Sequence, residues 1–230
     1  MKRLDILPDD VLLEIFDFYM IQVMIPYETS RGNGKPRIEA WQSLVHVCRR
    51  WRNLVFGSPL RLNLRLYCTP ETPAKDTLGV WPALPLIVAG DVAFSSGTDN
   101  VIAALGQSNR VCQVQLWGLD SESQLEEVLA AMQMPFPDLT DLLLSSDGET
   151  LPVIPILDSF LGGSTPRLQR FELTGIPFTG LPKLLLSADH LVYLGLFDVP
   201  HSGYVSPEAM VAPPLRIVQP RSTYPSIPIP

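Results

Sequence analysis

Four segments between residues 111 and 196 share one spacing of apolar residues. Each carries them at positions i, i+3 and i+5: Val111, Val114 and Leu116; Leu139, Leu142 and Leu144; Leu168, Phe171 and Leu173; Leu191, Leu194 and Leu196. The segments begin 28, 29 and 23 residues apart. A unit of this length cannot cover its own apolar strand, so it must be buried against its neighbours. The spacing therefore predicts an array of stacked units that share one core.

This spacing resembles the L-x-x-L-x-L pattern of leucine-rich repeats, whose units run about 20–29 residues. Ser121 is placed to cap a helix that runs to Met132, and shorter helical turns are predicted over 152–161 and 181–186. Residues 60–64 and 84–88 alternate in strand fashion and are interpreted as irregular leading repeats. The consensus Asn or Cys is replaced in all four units, by Leu119, Asp147, Ile176 and Val199. The repeats are therefore divergent, and an ordinary α/β domain is the alternative.

The first sixty residues predict two helices. Pro8 suits the first position of a helix over 8–19, and Leu12, Ile15, Phe16 and Tyr19 form its apolar stripe. Polar, turn-rich residues indicate an exposed loop within 20–40. The second helix is predicted from Trp41 to Phe56, ended by Gly57 and Pro59. Its apolar side would be lined by Trp41, Leu44, Val45, Cys48, Trp51 (or Arg52) and Val55.

Two strings in this region resemble the F-box motif. They are Leu7-Pro8-Asp9-Asp10-Val11-Leu12-Leu13-Glu14-Ile15-Phe16 and Leu44-Val45-His46-Val47-Cys48-Arg49-Arg50-Trp51-Arg52. The chain is similar to a large fungal group in which the box runs directly into Arg-Leu-Asn-Leu-Arg-Leu, here 61–66. The resemblance covers residues 4–66. It departs from the family in the connector, because about twenty residues separate helices that the family joins within a few.

The resemblance implies docking onto the Skp-type adaptor of a cullin–RING ubiquitin ligase. It gives adaptor-contact roles to seven residues: Leu7, Pro8, Ile15, Phe16, Val47, Cys48 and Trp51. The alternative without the resemblance is that the two apolar stripes pack on each other as a core hairpin. The expected fold is thus an α plus α/β protein. A helical F-box-like module (1–58, with the 20–40 loop insertion) precedes a short leucine-rich-repeat-like solenoid (59–210), and a Pro-rich tail (211–230) is expected to be disordered or truncated.

The net charge and the cysteine content limit the classes of partner and the compartment that we expect. The net charge is −7, and residues 61–230 hold the whole acidic excess, with nine Lys+Arg against seventeen Asp+Glu. An acidic surface repels phosphate backbones, so nucleic acid is not an expected partner. Three cysteines without a C-x-x-C pair indicate a reduced, intracellular protein, cytoplasmic or nuclear. The longest apolar-rich stretch, 11–25, contains Glu14 and Asp17 and is too short for a bilayer, so no membrane partner is expected.

The sequence gives no support for catalysis, a metal site or a cofactor. The three histidines form no H-x-x-x-H or H-E-x-x-H pattern, and there is no G-x-S-x-G elbow. Gly162 to Thr165 lack the Lys of a phosphate loop and are interpreted as a turn between repeats. Cys48 is predicted to be a buried small hydrophobe. Trp117 and Phe197, at the ends of their strand motifs, are candidates for contact with a partner, with a core role as the alternative.

These observations favour a non-enzymatic adaptor. The expected function is a substrate receptor in which the F-box holds the Skp-type adaptor and the repeats hold an unidentified target protein. The alternative is a leucine-rich-repeat interaction scaffold with a degenerate F-box and no role in ubiquitin transfer. A small α/β enzyme is the third hypothesis, disfavoured because no nucleophile, base or metal set can be assembled from the sequence.

Overall fold

The computed structural model describes residues 7–24, 40–93, 97–146, 148, 159–177, 184, 185 and 187–201. Three helices come first: α1 (Asp9–Met24), α2 (Ala40–Val45) and α3 (Arg49–Gly57). Strands then alternate with helices in the order β1 (Leu66–Cys68), α4 (Ala74–Val80), β2 (Leu86–Asp91), α5 (Thr98–Leu105), β3 (Val111–Trp117), α6 (Glu122–Ala131) and β4 (Asp141–Ser145). A 3₁₀ turn (Phe160–Gly163), β5 (Arg170–Thr174) and β6 (Tyr193–Phe197) complete the described elements.

The six strands form one sheet in which every neighbouring pair is parallel and the spatial order is the chain order. The four apolar segments found in the sequence supply β3 to β6. Their second apolar positions lie in register across the sheet: Val114, Leu142, Phe171 and Leu194. The third positions align in the same way: Leu116, Leu144, Leu173 and Leu196. The predicted α/β combination of helices and strands is confirmed, and the strands form a six-stranded parallel sheet.

These aligned rows form the inner face of the sheet. The residues of β3, β4 and β5 in them are buried, while Leu194 and Leu196 of β6 are half-buried. Helices α5 and α6 bury apolar residues in the same cluster: Val101, Ala104, Leu105, Leu125, Val128 and Leu129. The cluster also includes buried residues of α1, α2 and α3, so the helical module and the sheet share a continuous hydrophobic core. Burial of this apolar area is the main force that stabilises the stack.

Backbone hydrogen bonds connect the turn after one strand to the end of the next strand. The amide of Leu119 donates to the carbonyl of Ser145 (3.1 Å), and the amide of Gly175 donates to the carbonyl of Phe197 (3.0 Å). Gly118, Gly175 and Asp198 each directly follow a strand with positive φ values of 67°, 69° and 51°. A left-handed residue at one fixed position lets each turn leave its strand in the same direction. The interpretation of 162–165 as a turn between strands is also confirmed.

The N-terminal helices differ from the prediction in length and number. The first helix continues to Met24 because Met20, one turn after Phe16, still packs against the core. The second predicted helix is wrong as a single element, since α2 and α3 are separated by a turn at 46–48. Cys48 precedes α3 with an extended backbone (φ −160°, ψ 169°) and is exposed, so its prediction as a buried hydrophobe is wrong.

The predictions for the segments between the strands are confirmed in part. Helix α6 follows Ser121 as predicted, although the Ser121 hydroxyl bonds that of Ser123 (2.9 Å) instead of a helix amide. Residues 60–63 form a turn, so the predicted strand over 60–64 is wrong, and β1 begins only at Leu66. Leu62 and Leu64 are buried all the same, because the turn folds them into the core. Residues 25–39, most of 152–161, 181–183 and the tail over 211–230 lie outside the described residues.

Candidate docking surfaces

The three N-terminal helices pack around a small aromatic and aliphatic centre. Leu12 and Phe16 of α1 and Val55 of α3 are fully buried there. The ring of Phe16 lies 4.7 Å from that of Trp51, at an interplanar angle of 59°. The residues of the predicted apolar stripe of α1 therefore differ in burial: Leu12 and Phe16 are buried, whereas Ile15 and Tyr19 are exposed.

Arg50 brings the two F-box-like strings together. Its Nη2 donates to Oδ1 of Asp9 (2.6 Å) and to the carbonyl oxygen of Leu7 (2.5 Å), and its Nε donates to the same Asp9 oxygen (3.1 Å). The start of α1 is thereby held against the start of α3. Because Cys48 and Val47 directly precede α3, the Leu7-Pro8 pair and the Val47-Cys48 pair lie at the same end of the module.

Exposed apolar side chains follow one side of α1. Val11, Ile15 and Phe18 are spaced i, i+4 and i+7, and Ile15 and Phe18 are 48% and 64% exposed. Val47, in the turn before α3, is 56% exposed. We call Pro8, Val11, Ile15, Phe18 and Val47 the apolar surface of the helical module. Concentrated exposed apolar side chains of this kind mark interaction sites in soluble proteins.

The seven residues assigned to adaptor contact fall into two groups. Pro8, Ile15, Val47 and Cys48 are exposed, and their side chains can reach a partner. Leu7 and Trp51 are half-buried and pack against the core, and Phe16 is fully buried. Phe16 and Trp51 therefore contribute to the internal packing of the module. Phe18 carries no assignment from the motif, yet its i+3 spacing from Ile15 places it on the exposed side of α1.

The helical module is fixed to the first strand of the sheet. The indole Nε1 of buried Trp41 donates to the carbonyl of Arg65, directly before β1, at 2.9 Å. The Trp41 ring meets the ring of Trp81 edge-on at 5.0 Å, and Phe56 adds a second aromatic contact at 5.9 Å. Arg61 also forms an ion pair with Glu14 of α1. This junction holds the apolar surface in a set orientation relative to the sheet.

The second surface is the outer side of the sheet, opposite the buried rows. Successive strand side chains alternate between faces, so the residues between the buried positions point outward. We call this side the polar face: Gln113, Gln115, Trp117, Asp141, Leu143, Ser145, Arg170, Glu172, Thr174, Tyr193 and Phe197. Arg170 is exposed, and the other residues are half-buried by their neighbours in the sheet.

Side chains on the polar face are ordered by bonds along and across the strands. Oδ2 of Asp141 accepts from Gln113 Nε2 (3.1 Å) and from the hydroxyl of Thr140 (2.5 Å). Arg170 Nη2 donates to Glu172 Oε2 (2.8 Å), and its guanidinium lies 4.8 Å from the centre of the Tyr193 ring. The hydrogen bond that Arg170 donates to Glu172 raises the pKa of Arg170 above its ordinary value. The face is thus a preformed set of charged and aromatic groups.

The two aromatic candidates from the sequence both lie on this face. Trp117 ends β3 beside Asp91 of β2, and Phe197 ends β6; both are half-buried. Phe197 and Tyr193 lean over Gly195, where a Cβ would come within 2.8 Å of the Phe197 ring and 3.0 Å of the Tyr193 ring. Of these aromatic side chains, Tyr193 lies against Arg170, while Trp117 and Phe197 lie at the carboxyl ends of their strands.

Cys112 lies at the edge of the polar face. Its thiol donates to the carbonyl of Leu86 (3.2 Å), and Arg65 Nη1 is 3.9 Å from its sulfur. Burial raises the pKa of this thiol, although the nearby Arg65 cation opposes that shift. Among the described residues, no group of three or more His, Cys, Asp or Glu side chains converges to hold a metal ion. In the same parts of the chain, no helix combines the length and apolar character needed to cross a membrane.

Comparison with known proteins adds no relative. No protein-family model matches the chain, and no curated protein or solved structure matches it.

Proposed function

We propose that this chain is a substrate receptor of a cullin–RING (SCF-type) ubiquitin ligase. The helical module docks on the Skp-type adaptor, and the sheet, as a divergent leucine-rich-repeat solenoid, presents its outer face to a target protein. Any bond chemistry belongs to the other subunits, so the chain itself is not an enzyme. The working compartment is the cytoplasm or the nucleus.

The observation that carries the proposal is the convergence of the two F-box-like strings. Arg50 joins Leu7 and Asp9 to the start of α3, and this leaves Pro8, Ile15 and Val47 exposed. A soluble chain gains nothing in its own stability from exposing these apolar side chains to water. Their burial by a partner helix would remove that cost, and helices docked through apolar faces are a recurring mode of recognition.

Stacking of the strands supports the second half of the proposal. Units of a solenoid contact only their neighbours and create an extended surface on which a partner can bind. The register of β3 to β6 repeats the same inward positions in each unit. The alternative function is a repeat scaffold with a degenerate F-box. In that case the chain would use this second surface but would not bind the adaptor.

Coexpression with a Skp-type adaptor tests the proposal. Trp51 is unsuitable for a docking variant, because it stacks on Phe16 and its loss would perturb the fold. The informative variant is Ile15→Asp with Val47→Asp, which changes two exposed side chains. The matched control is Met134→Asp with Val192→Asp, which are 55% and 71% exposed and lie outside the helical module.

We expect wild type and control to elute as one-to-one complexes with the adaptor, and the Ile15/Val47 variant to elute alone. Circular dichroism verifies that all three chains are folded. If the folded wild type elutes alone as well, the receptor function is wrong and the scaffold alternative takes its place.

A further inference from the structure

The polar face has more carboxylates than cations. Its strands carry Asp141 and Glu172, with Asp91 at the end of β2, against Arg170; a second cation, Arg65, stands at the edge before β1. The wider region has the same sign, since residues 61–230 hold nine Lys+Arg and seventeen Asp+Glu. A surface with this balance attracts basic partners and repels acidic ones.

We propose that the polar face binds an extended segment of the target protein that carries Lys or Arg side chains, received by Asp141 and Glu172. The inference rests on the proposed function, because it states the chemistry of the target that the receptor presents. It goes further by assigning the recognising residues and the charge of the recognised segment.

Asp141 is prepared to accept a cation. Both of its hydrogen bonds end on Oδ2, from Gln113 and from Thr140, so neither occupies Oδ1. The two bonds fix the carboxylate before a ligand arrives, which lowers the entropy lost on binding. A charge-assisted bond from an ammonium or guanidinium group to Oδ1 would be stronger than a neutral one.

Glu172 is the second acceptor. In the register between β4 and β5 it pairs with Leu143, while Asp141 pairs with Arg170, so the two carboxylates belong to neighbouring strands and adjacent rows. Strands lie about 4.8 Å apart and alternate residues about 6.6 Å apart, which places the two backbone positions roughly 8 Å apart. Alternate side chains of an extended segment have nearly this spacing, so cations at i and i+2 can reach both carboxylates.

Arg170 does not prevent this binding. Its guanidinium lies over the Tyr193 ring as well as beside Glu172, and half of its side chain is exposed. Arg170 bonds Oε2 of Glu172, whose side chain is 16% exposed, so a ligand cation would bind the other oxygen, Oε1. Leu143, between the two carboxylates, and the aromatic rim of Trp117 and Phe197 then receive the apolar parts of the segment.

Fluorescence anisotropy with two labelled peptides tests the inference. The probes are Lys-Thr-Lys-Thr-Lys-Thr and Glu-Thr-Glu-Thr-Glu-Thr, titrated with the full chain at 50 mM and at 300 mM salt. The test variant is Asp141→Asn with Glu172→Gln. Its matched control is Glu126→Gln with Glu127→Gln, which removes the same charge from the exposed side of α6.

We expect wild type and control to bind the Lys peptide at least tenfold more tightly than the Glu peptide at 50 mM salt. The Asp141/Glu172 variant should lose most of that preference. Equal binding of both peptides by the wild type, or an equal loss in the control, would overturn the inference. Adaptor binding, measured on the same samples, distinguishes the two proposals. The Asp141/Glu172 variant should bind the adaptor as the wild type does. A failure of adaptor binding alone contradicts only the receptor function.

Discussion

Arg50 of α3 and Asp9 of α1 form a bidentate contact in which Nη2 and Nε both donate to one carboxylate oxygen, at 2.6 and 3.1 Å. Both side chains are partly exposed, so the pair stabilises the fold by only about 0.5–1 kcal/mol. Its larger effect is on orientation, because Arg50 also holds the carbonyl of Leu7. The pair sets how the Leu7-Pro8 segment lies against the start of α3.

Replacement of Arg50 by Met should weaken adaptor binding more than it weakens the fold. We expect the free energy of unfolding to fall by roughly 1 kcal/mol, and adaptor affinity to fall about tenfold because Leu7 and Pro8 lose their tether. Urea denaturation and titration with the adaptor measure the two effects. Arg167→Met is the control, since it removes another exposed ion pair, with Asp138, far from the module. Equal adaptor affinity in both variants would contradict the role of Arg50.

Trp41 should be the aromatic residue on which the junction between module and sheet depends most. Trp41→Phe keeps most of the packing but loses the bond to the Arg65 carbonyl, and should cost about 1–2 kcal/mol of unfolding free energy. Trp41→Ala also leaves a cavity beside Trp81 and should cost about 3–5 kcal/mol. Urea denaturation should give this order. The half-buried Trp117 is the control, and a Trp117→Phe loss as large as that of Trp41→Phe would contradict the account.

Two glycine substitutions should have opposite effects. A Cβ at Gly175 would overlap the carbonyl oxygen of Ser146, and its φ of 69° already strains any other residue. Gly175→Ala should therefore lower the free energy of unfolding by roughly 1–3 kcal/mol. Gly79 lies inside α4 with nothing within 4 Å of an added Cβ, so Gly79→Ala should raise it by about 0.5–1 kcal/mol. Thermal unfolding of both variants measures this, and a stable Gly175→Ala protein would mean that the turn is not constrained.

The thiols should differ in reactivity. Burial raises the pKa of Cys112, so in the folded chain it stays protonated to higher pH than in the unfolded chain. The stability it contributes is present below its ordinary pKa and declines as the pH rises through the raised folded value. Iodoacetamide at pH 8, followed by mass spectrometry, should modify exposed Cys48 first and Cys112 only slowly. In denaturant both should react at similar rates; equal rates in the folded chain would contradict the prediction.

The strands could be predicted because each of the four apolar segments supplies the same inward positions. Val114, Leu142 and Phe171 stand in register, and a spacing of i, i+3 and i+5 repeated four times is difficult to satisfy with any structure except stacked strands. The residues that follow the strands also indicate the turns. Gly118, Gly175 and Asp198 follow their strands directly, and these residue types tolerate the left-handed backbone that the turns adopt.

The details of the helical module could not be predicted from periodicity. An apolar stripe does not reveal whether this chain or a partner covers it, so buried Phe16 and exposed Ile15 look alike in the sequence. The turn at 46–48 contains neither Gly nor Pro, and the apolar residues on both sides face one core. The apolar pattern over 41–56 therefore predicts one continuous helix. The strand predicted over 60–64 was wrong for a similar reason. Leu62 and Leu64 are buried and alternate as in a strand, but Leu62 lies in a turn and Leu64 directly after it.

Isothermal titration of a Skp-type adaptor into the purified chain tests the receptor function most directly. We expect a one-to-one complex with a dissociation constant at or below about 1 μM, which corresponds to about −8 kcal/mol. We also expect a negative heat-capacity change, because Pro8, Ile15, Phe18 and Val47 lose their contact with water. Absence of binding by the folded wild-type chain would contradict the account and leave the sheet as the surface of an interaction scaffold.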